Sequence, residues 1–125
     1  MNVPTNLLYT SDHEWVSVVG NVATIGITDF AQGELGDIVF VEFPELNSTV
    51  EKGQSAGSIE AVKTVADLYM PISGTVIEVN ENLDDNPEAV NDTPYGDGWM
   101  VKVEIANQDE ISDLLTATAY DDLIS

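Results

Sequence analysis

The residue type best able to do covalent chemistry in this chain is also one of its rarest. Lys63 lies in the stretch "SIEAVKTVADLYMP", residues 58 to 71, and the only other cations are Lys52 and Lys102, set against 23 Asp and Glu. A lysine offers a primary amine on a flexible four-carbon stem. The other common nucleophiles and metal ligands are scarce. Cysteine is absent, which excludes disulfides, thiolate metal sites and cysteine nucleophiles. A single histidine, His13, excludes a multi-histidine metal site, so zinc chemistry is not expected. The formal net charge of −20 repels nucleic acid and anionic lipid. Long-range steering should favour a partner with a basic patch. Solubility alone, as in a saline cytoplasm, would account for the charge equally well.

The length of 125 residues suits one domain, taken as 1–125, and 43% hydrophobic residues supply its core. No run approaches the roughly 18 apolar residues of a membrane helix. The start, "MNVPTNLLYTSDHEW", has neither a basic region before an apolar one nor an arginine. Neither a secretory signal nor a transit peptide is therefore expected. The expected setting is the cytoplasm of a bacterium, or the mitochondrial matrix for a mature organellar form.

Short β-like runs must position the amine. "WVSVVGNVATIGI" reads as a hairpin turning at Gly20-Asn21. "DIVFVEF" (37 to 43) is a strongly apolar strand, and "GTVIEVNENL" (74 to 83) offers Val76 with Val79 or Ile77 to the core. "WMVKVEI" (99 to 105) alternates: Val101, Val103 and Ile105 face one way, and Met100, Lys102 and Glu104 the other. Lys102 is then a solvated strand residue. "TDFAQGELG" (28 to 36) predicts a helix capped by Thr28 and stopped at Gly36. "DNPEAVN" (85 to 91) predicts another, capped by Asn86 with Pro87 at its first position. The tail, about 108 to 124, carries an apolar helical stripe of Ile111, Leu114, Leu115, Tyr120, Leu123 and Ile124, broken near Thr116. Trp15 and Trp99 are expected in or near the core, with His13 making a structural polar contact beside Trp15. The fold class is mostly β with a helical trim.

"VEFPE" (41 to 45) is echoed by "IEVNE" (77 to 81), which suggests two similar halves meeting near residue 61. Lys63 falls at that junction, between strand-like flanks. The simplest reading is a hairpin with its tip at 61–64 and Val62-Lys63 at the centre. No glycine is present to supply the positive φ of a primed turn. A type I turn accepts ordinary residues at both central positions.

Several motifs, in order and across about Leu8 to Ile124, are similar to the glycine cleavage H-protein family. They are "HEWV" (13 to 16), "ATIGITDFAQGELGDIVFVEFPE" (23 to 45), "VEKG" (50 to 53), "EAVKTVADLYMPISGTVIEVNENL" (60 to 83), "DNPEAVN" (85 to 91), "PYGDGWMVKV" (94 to 103) and the "LL…AYDDLI" tail. The resemblance implies a hybrid barrel-sandwich of two antiparallel sheets, with Lys63 on an exposed turn carrying lipoate in amide linkage. The family commonly reads "ESVKA" where this chain reads "EAVKT", which preserves the Glu60-x-x-Lys63 spacing. Glu60 and Gly74 are the expected recognition residues for the modifying enzyme, a lipoate ligase or octanoyl transferase; Gly74 reads equally well as a turn before a strand. Biotin acceptors usually have methionine on each side of the lysine, and here Val62 and Thr64 stand there. The lipoyl domains of 2-oxo acid dehydrogenases lack "HEWV" and are shorter.

The implied role is a carrier and not an enzyme. It would take the aminomethyl group of glycine from a pyridoxal-phosphate glycine decarboxylase to a tetrahydrofolate-dependent aminomethyltransferase. It would pass electrons to a flavin-containing dihydrolipoyl dehydrogenase. Glu14 and Asp67 match acidic positions of the family's cleft for the loaded arm, although ordinary surface acidity would place acids there too. Asp12 stands where many relatives carry a small hydroxyl residue. A lipoate relay to other complexes, or a non-catalytic scaffold, is the alternative. A monomer is expected of a carrier that visits three enzymes.

Overall fold

The computed structural model describes residues 2–125. Nine strands form two antiparallel sheets. They are β1 (Leu8–Tyr9), β2 (Glu14–Val19), β3 (Val22–Ile27), β4 (Ile38–Glu42), β5 (Thr49–Val50), β6 (Ser55–Ala61), β7 (Val65–Tyr69), β8 (Gly74–Val79) and β9 (Val101–Ile105). One sheet has the order β1-β2-β3-β9-β8-β5, the other β4-β6-β7. The fold is mostly β, two antiparallel sheets without a closed barrel. Their facing side chains make the main core, including Ile25, Val41, Ile59, Leu68, Val76 and Val103. Among the described residues, no helix is long and apolar enough to cross a membrane.

Local sequence explains most elements. The β2–β3 hairpin turns at Gly20, whose φ of 61° suits glycine. In α1 (Asp29–Leu35), the Thr28 hydroxyl accepts from Ala31 N–H, and Gly36 ends the helix at φ 82°. Val101, Val103 and Ile105 are buried along β9, while Glu104 is exposed. Met100 departs from the expected alternation. It lies just before the strand, fully buried in the main core, with its N–H donating to the Ile25 carbonyl (2.9 Å). Lys102 is half-buried rather than solvated, paired with Glu78 at 3.8 Å and lying 5.0 Å over the Trp99 ring. In β8 the register shifts between Val76 and Glu78, so Val76 is buried and Ile77 points outward.

Asn86 does not cap the second predicted helix. It closes α2 (Asn82–Asp85), and α3 (Ala89–Asp92) starts after Glu88 without a side-chain cap. Pro87 lacks an N–H and therefore suits the turn between the two. The tail divides into a 3-10 helix, Gln108–Asp113, and α4 (Ala117–Ile124), with the Thr116 hydroxyl capping α4 through Ala119 N–H. Between them Leu115 bridges to Tyr9.

Candidate functional site: a lysine-tipped hairpin beside an acidic cavity

Lys63 lies in the three-residue link between β6 and β7. Ala61 N–H donates to the Thr64 carbonyl (2.8 Å), and Val62 N–H donates to the Asp37 carbonyl (3.0 Å). None of residues 61–64 has positive φ, so ordinary side chains turn this corner without strain. Val62, Lys63 and Thr64 are all exposed. Lys52 pairs with Asp113 at 3.0 Å and Lys102 with Glu78. Among the described residues, Lys63 alone of the lysines has no ion-pair partner.

The Lys63 stem lies over the end of α1. A Cβ built on Gly36 would sit 3.4 Å from Lys63 Cε and 3.8 Å from Nζ. Leu35, the next residue back, lines a cavity of about 300 Å³. Its apolar wall comes from Ile27 of β3, Phe30 and Ala31 of α1, and Ile59 and Ala66 of the hairpin. Its acids are Asp12, Glu14, Glu34 and Asp67. The structure thus brings Glu14 and Asp67 to one cavity, whose rim at Leu35 is one residue from Gly36, where the end of the Lys63 side chain lies.

The two acids differ in kind. Glu14 is only 2% exposed, and the Thr10 hydroxyl donates to its Oε1 (2.6 Å). Burial pushes its carboxyl up to about 7; the Asp12 charge adds to the rise, and the Thr10 hydroxyl and Tyr69 backbone oppose it. Desolvation penalises the charged form, so Glu14 exchanges a proton near neutrality. Asp67 is exposed on the edge strand β7 and accepts from the Tyr69 hydroxyl (3.3 Å).

Glu60 pairs with Val65 in the last strand pair before the tip, and is exposed. Strand alternation sets it on the face opposite Ile59 and the cavity. Gly74 is not near the tip's sheet. It pairs with Ile105 in the six-stranded sheet, where a Cβ would collide with the Glu104 carbonyl oxygen and Val103 Cγ1. A backbone approach accounts for this glycine, in place of the turn expected from sequence.

Sequence reasoning missed what holds the cavity's end wall. His13 Nδ1 hydrogen-bonds the Tyr120 hydroxyl (2.8 Å), which also bonds Thr28 Oγ1 (2.7 Å), the cap of α1. Tyr120 stacks on Tyr9 at 4.7 Å, so α4 secures the start of α1. His13 thus makes a structural polar contact, as expected, with Tyr120 as its partner; the neighbouring Trp15 Nε1 donates to the Pro94 carbonyl (2.9 Å). His13 adopts a φ of 69° just before β2, and its ring lies beside that of Phe30, centroids 4.8 Å apart. The capping Thr28 was a readable signal; its bond to a tyrosine 92 residues away was not.

A sequence model described as glycine cleavage H-protein matches residues 7–125. The chain is 55% identical over 124 residues to the glycine cleavage system H protein of Staphylococcus haemolyticus (strain JCSC1435), covering 99% of this chain and 98% of that protein. Its fold is similar to the crystal structure of a glycine cleavage system H protein from Mycobacterium marinum. That similarity has a TM-score of 0.89 at 39% identity, over 96% of this chain and 97% of that one. Matches of this extent, together with the hairpin and cavity, establish that the chain belongs to the glycine cleavage H-protein family.

Proposed function

We propose that this protein is the lipoyl carrier of a glycine cleavage system, with lipoate held in amide linkage on Lys63. The observation that supports this most directly is the placement of Lys63: exposed, unpaired among the described residues, and with its amine end against Gly36, next to Leu35 of the cavity that Glu14 and Asp67 line. Lipoate fits these residues, since the amine is free to be acylated and the adjoining cavity combines apolar walls with acids at about 300 Å³. Once bound, it supplies a cyclic disulfide that accepts the aminomethyl group of glycine and returns as a dithiol for reoxidation.

The chain's own residues bind, orient and shelter. The hairpin holds the root of the arm in place. Phe30, Ala31 and Ile59 exclude water from the cavity wall. Asp67 offers a carboxylate at the edge of β7, and Glu14 offers a second that ionises when a cation arrives. An ammonium group beside Glu14 favours its charged form, so occupation of the cavity near pH 7 releases a proton. Charge-assisted hydrogen bonds of this kind contribute about 1.5 to 3 kcal/mol, less where water reaches them. The partners in this reading are the glycine decarboxylase, the aminomethyltransferase, the dihydrolipoyl dehydrogenase and the ligase that loads lipoate. Steering by the −20 charge favours basic docking sites on them.

The test is mass spectrometry of the intact protein and its peptides after incubation with a lipoate ligase, lipoate and ATP. One lipoyl increment should appear, on the peptide containing Lys63. Lys63→Arg should take up none and support no glycine decarboxylation, with unchanged melting, because guanidinium stays cationic and forms no such amide. Lipoylation of Lys63→Arg, or of Lys52 or Lys102 in the parent, would refute the assignment.

A further inference from the structure

The β6–β7 hairpin has two faces, and the cavity uses one. Val41, Ile59 and Ala66 lie in one cross-strand row on the inner face. Phe40, Glu60 and Val65 form the adjacent row on the outer face. This outer row is open to solvent: Phe40 is 45% and Val65 62% exposed. Val39, thrust out by the register shift between Ile38 and Phe40, and Val62 in the turn are exposed beside it. Four of the nine large apolar side chains exposed among the described residues therefore gather around Lys63. In so acidic a chain this is a local exception, and apolar clusters of this kind mark interaction sites.

Acids ring the patch. Glu60 stands within the row, and Glu42 of the next row is exposed; Asp67, at the far end of that row on the edge strand, also lines the cavity and is shared by the two faces. Asp37, whose carbonyl receives Val62 N–H, is exposed at the start of β4. We infer that this outer face is the docking surface of the enzyme that acylates Lys63, and that the enzyme meets it with an apolar contact edged by lysine or arginine. The inference rests on Lys63 being the lipoyl acceptor. Two observations select that occupant. The patch adjoins the turn that carries the acceptor lysine, with Val62 its immediate neighbour, so whatever covers it meets that turn. A second copy would cover Lys63 and set −20 against −20. The hairpin then separates its clients: the acylating enzyme uses the outer face, and the loaded arm folds toward the inner one.

The experiment compares kcat/KM for lipoylation by a lipoate ligase among the parent, Phe40→Thr/Val65→Thr, and Ile77→Thr. Ile77 is 42% exposed on the other sheet and serves as the control. Threonine keeps the β-branched shape of Val65 and Ile77 and places a strand-favouring side chain at the half-exposed Phe40, so melting temperatures should stay close to the parent. The double variant should lose about tenfold in kcat/KM, and the control should lose nothing. Added salt should slow the parent reaction and slow Glu60→Gln less. Protein of the double variant lipoylated to completion should serve the glycine decarboxylase as well as the lipoylated parent does. A ligase rate within about twofold of the parent, or an equal loss with the decarboxylase, overturns the inference. Val65→Thr alone, a near-isosteric change at an exposed site, gives the reading if the double variant melts early. If the parent takes no lipoate at Lys63, the carrier reading itself fails; if it does and the variants keep pace, only the docking face fails.

Discussion

Replacing Glu14 by glutamine should stabilise the protein, and by an amount that depends on pH. The folded protein holds the Glu14 proton up to about pH 7, whereas the ordinary value is 4.5. Between those values the native state binds a proton that the unfolded chain has released, so stability falls as pH rises through the window. Below pH 4.5 both states are protonated and Glu14 costs nothing. Above pH 7 the cost is complete: the gap corresponds to about 3 kcal/mol at 1.36 kcal/mol per pH unit. Glutamine is neutral throughout, has nearly the same shape, and still accepts from the Thr10 hydroxyl. Parent and Glu14→Gln should therefore melt together at pH 4 and diverge steadily to pH 8, where the variant should lead by about 10 °C. Paired thermal melts at constant ionic strength measure this, because the other carboxylates contribute equally to both proteins. A difference that stays flat from pH 4 to 8 would refute the reasoning and return Glu14 to the ordinary carboxylate range.

Two further substitutions test the packing around the site. Gly74→Ala should destabilise by about 3 kcal/mol through overpacking against the Glu104 carbonyl, read as a fall in the urea midpoint, with the lipoylation rate of folded molecules unchanged. A slower ligation at unaltered stability would instead make Gly74 a recognition residue. Tyr120→Phe should keep the stack on Tyr9 but lose the bonds to Thr28 and His13, costing about 1 to 2 kcal/mol in chemical unfolding; an unchanged midpoint would remove α4 from the support of α1.

What could be read from sequence was what local chemistry decides. Gly20-Asn21, the alternation of Val101, Val103 and Ile105, and the Thr28–Gly36 pair each report a period or a cap that the chain enforces within a few residues. The failures share a different origin. Met100 precedes β9, so the strand's alternation does not reach it, and it packs into the core that the two sheets share. Which of Ile77 and Val79 joined the core depended on a bulge against β9, set by a partner strand and not by β8 itself. Asn86 had the right type for a cap, but the preceding helix had already claimed it as a terminus. At the site, Lys63 stood out as a lone cation between strand-like flanks, and Glu14 and Asp67 entered through resemblance alone. Nothing in the sequence indicated that α1 would line the same cavity as these two acids, that His13 would bond Tyr120, or that one acid would be buried and the other open. Those features arise from long-range contacts such as that between His13 and Tyr120, 107 residues apart.

The single bond from Val62 N–H to the Asp37 carbonyl has a consequence for rate. It moors the turn to the neighbouring corner of the sheet, one residue before the lysine. A group tethered at Lys63 therefore explores a small shell about a nearly stationary centre, at an effective concentration on the order of millimolar. Had the lysine ridden on a long loose loop, that concentration would fall as roughly the −3/2 power of the added length. Cutting this one mooring would leave every contact of a docked partner intact and still slow each transfer, because the arm would spend more of its time elsewhere.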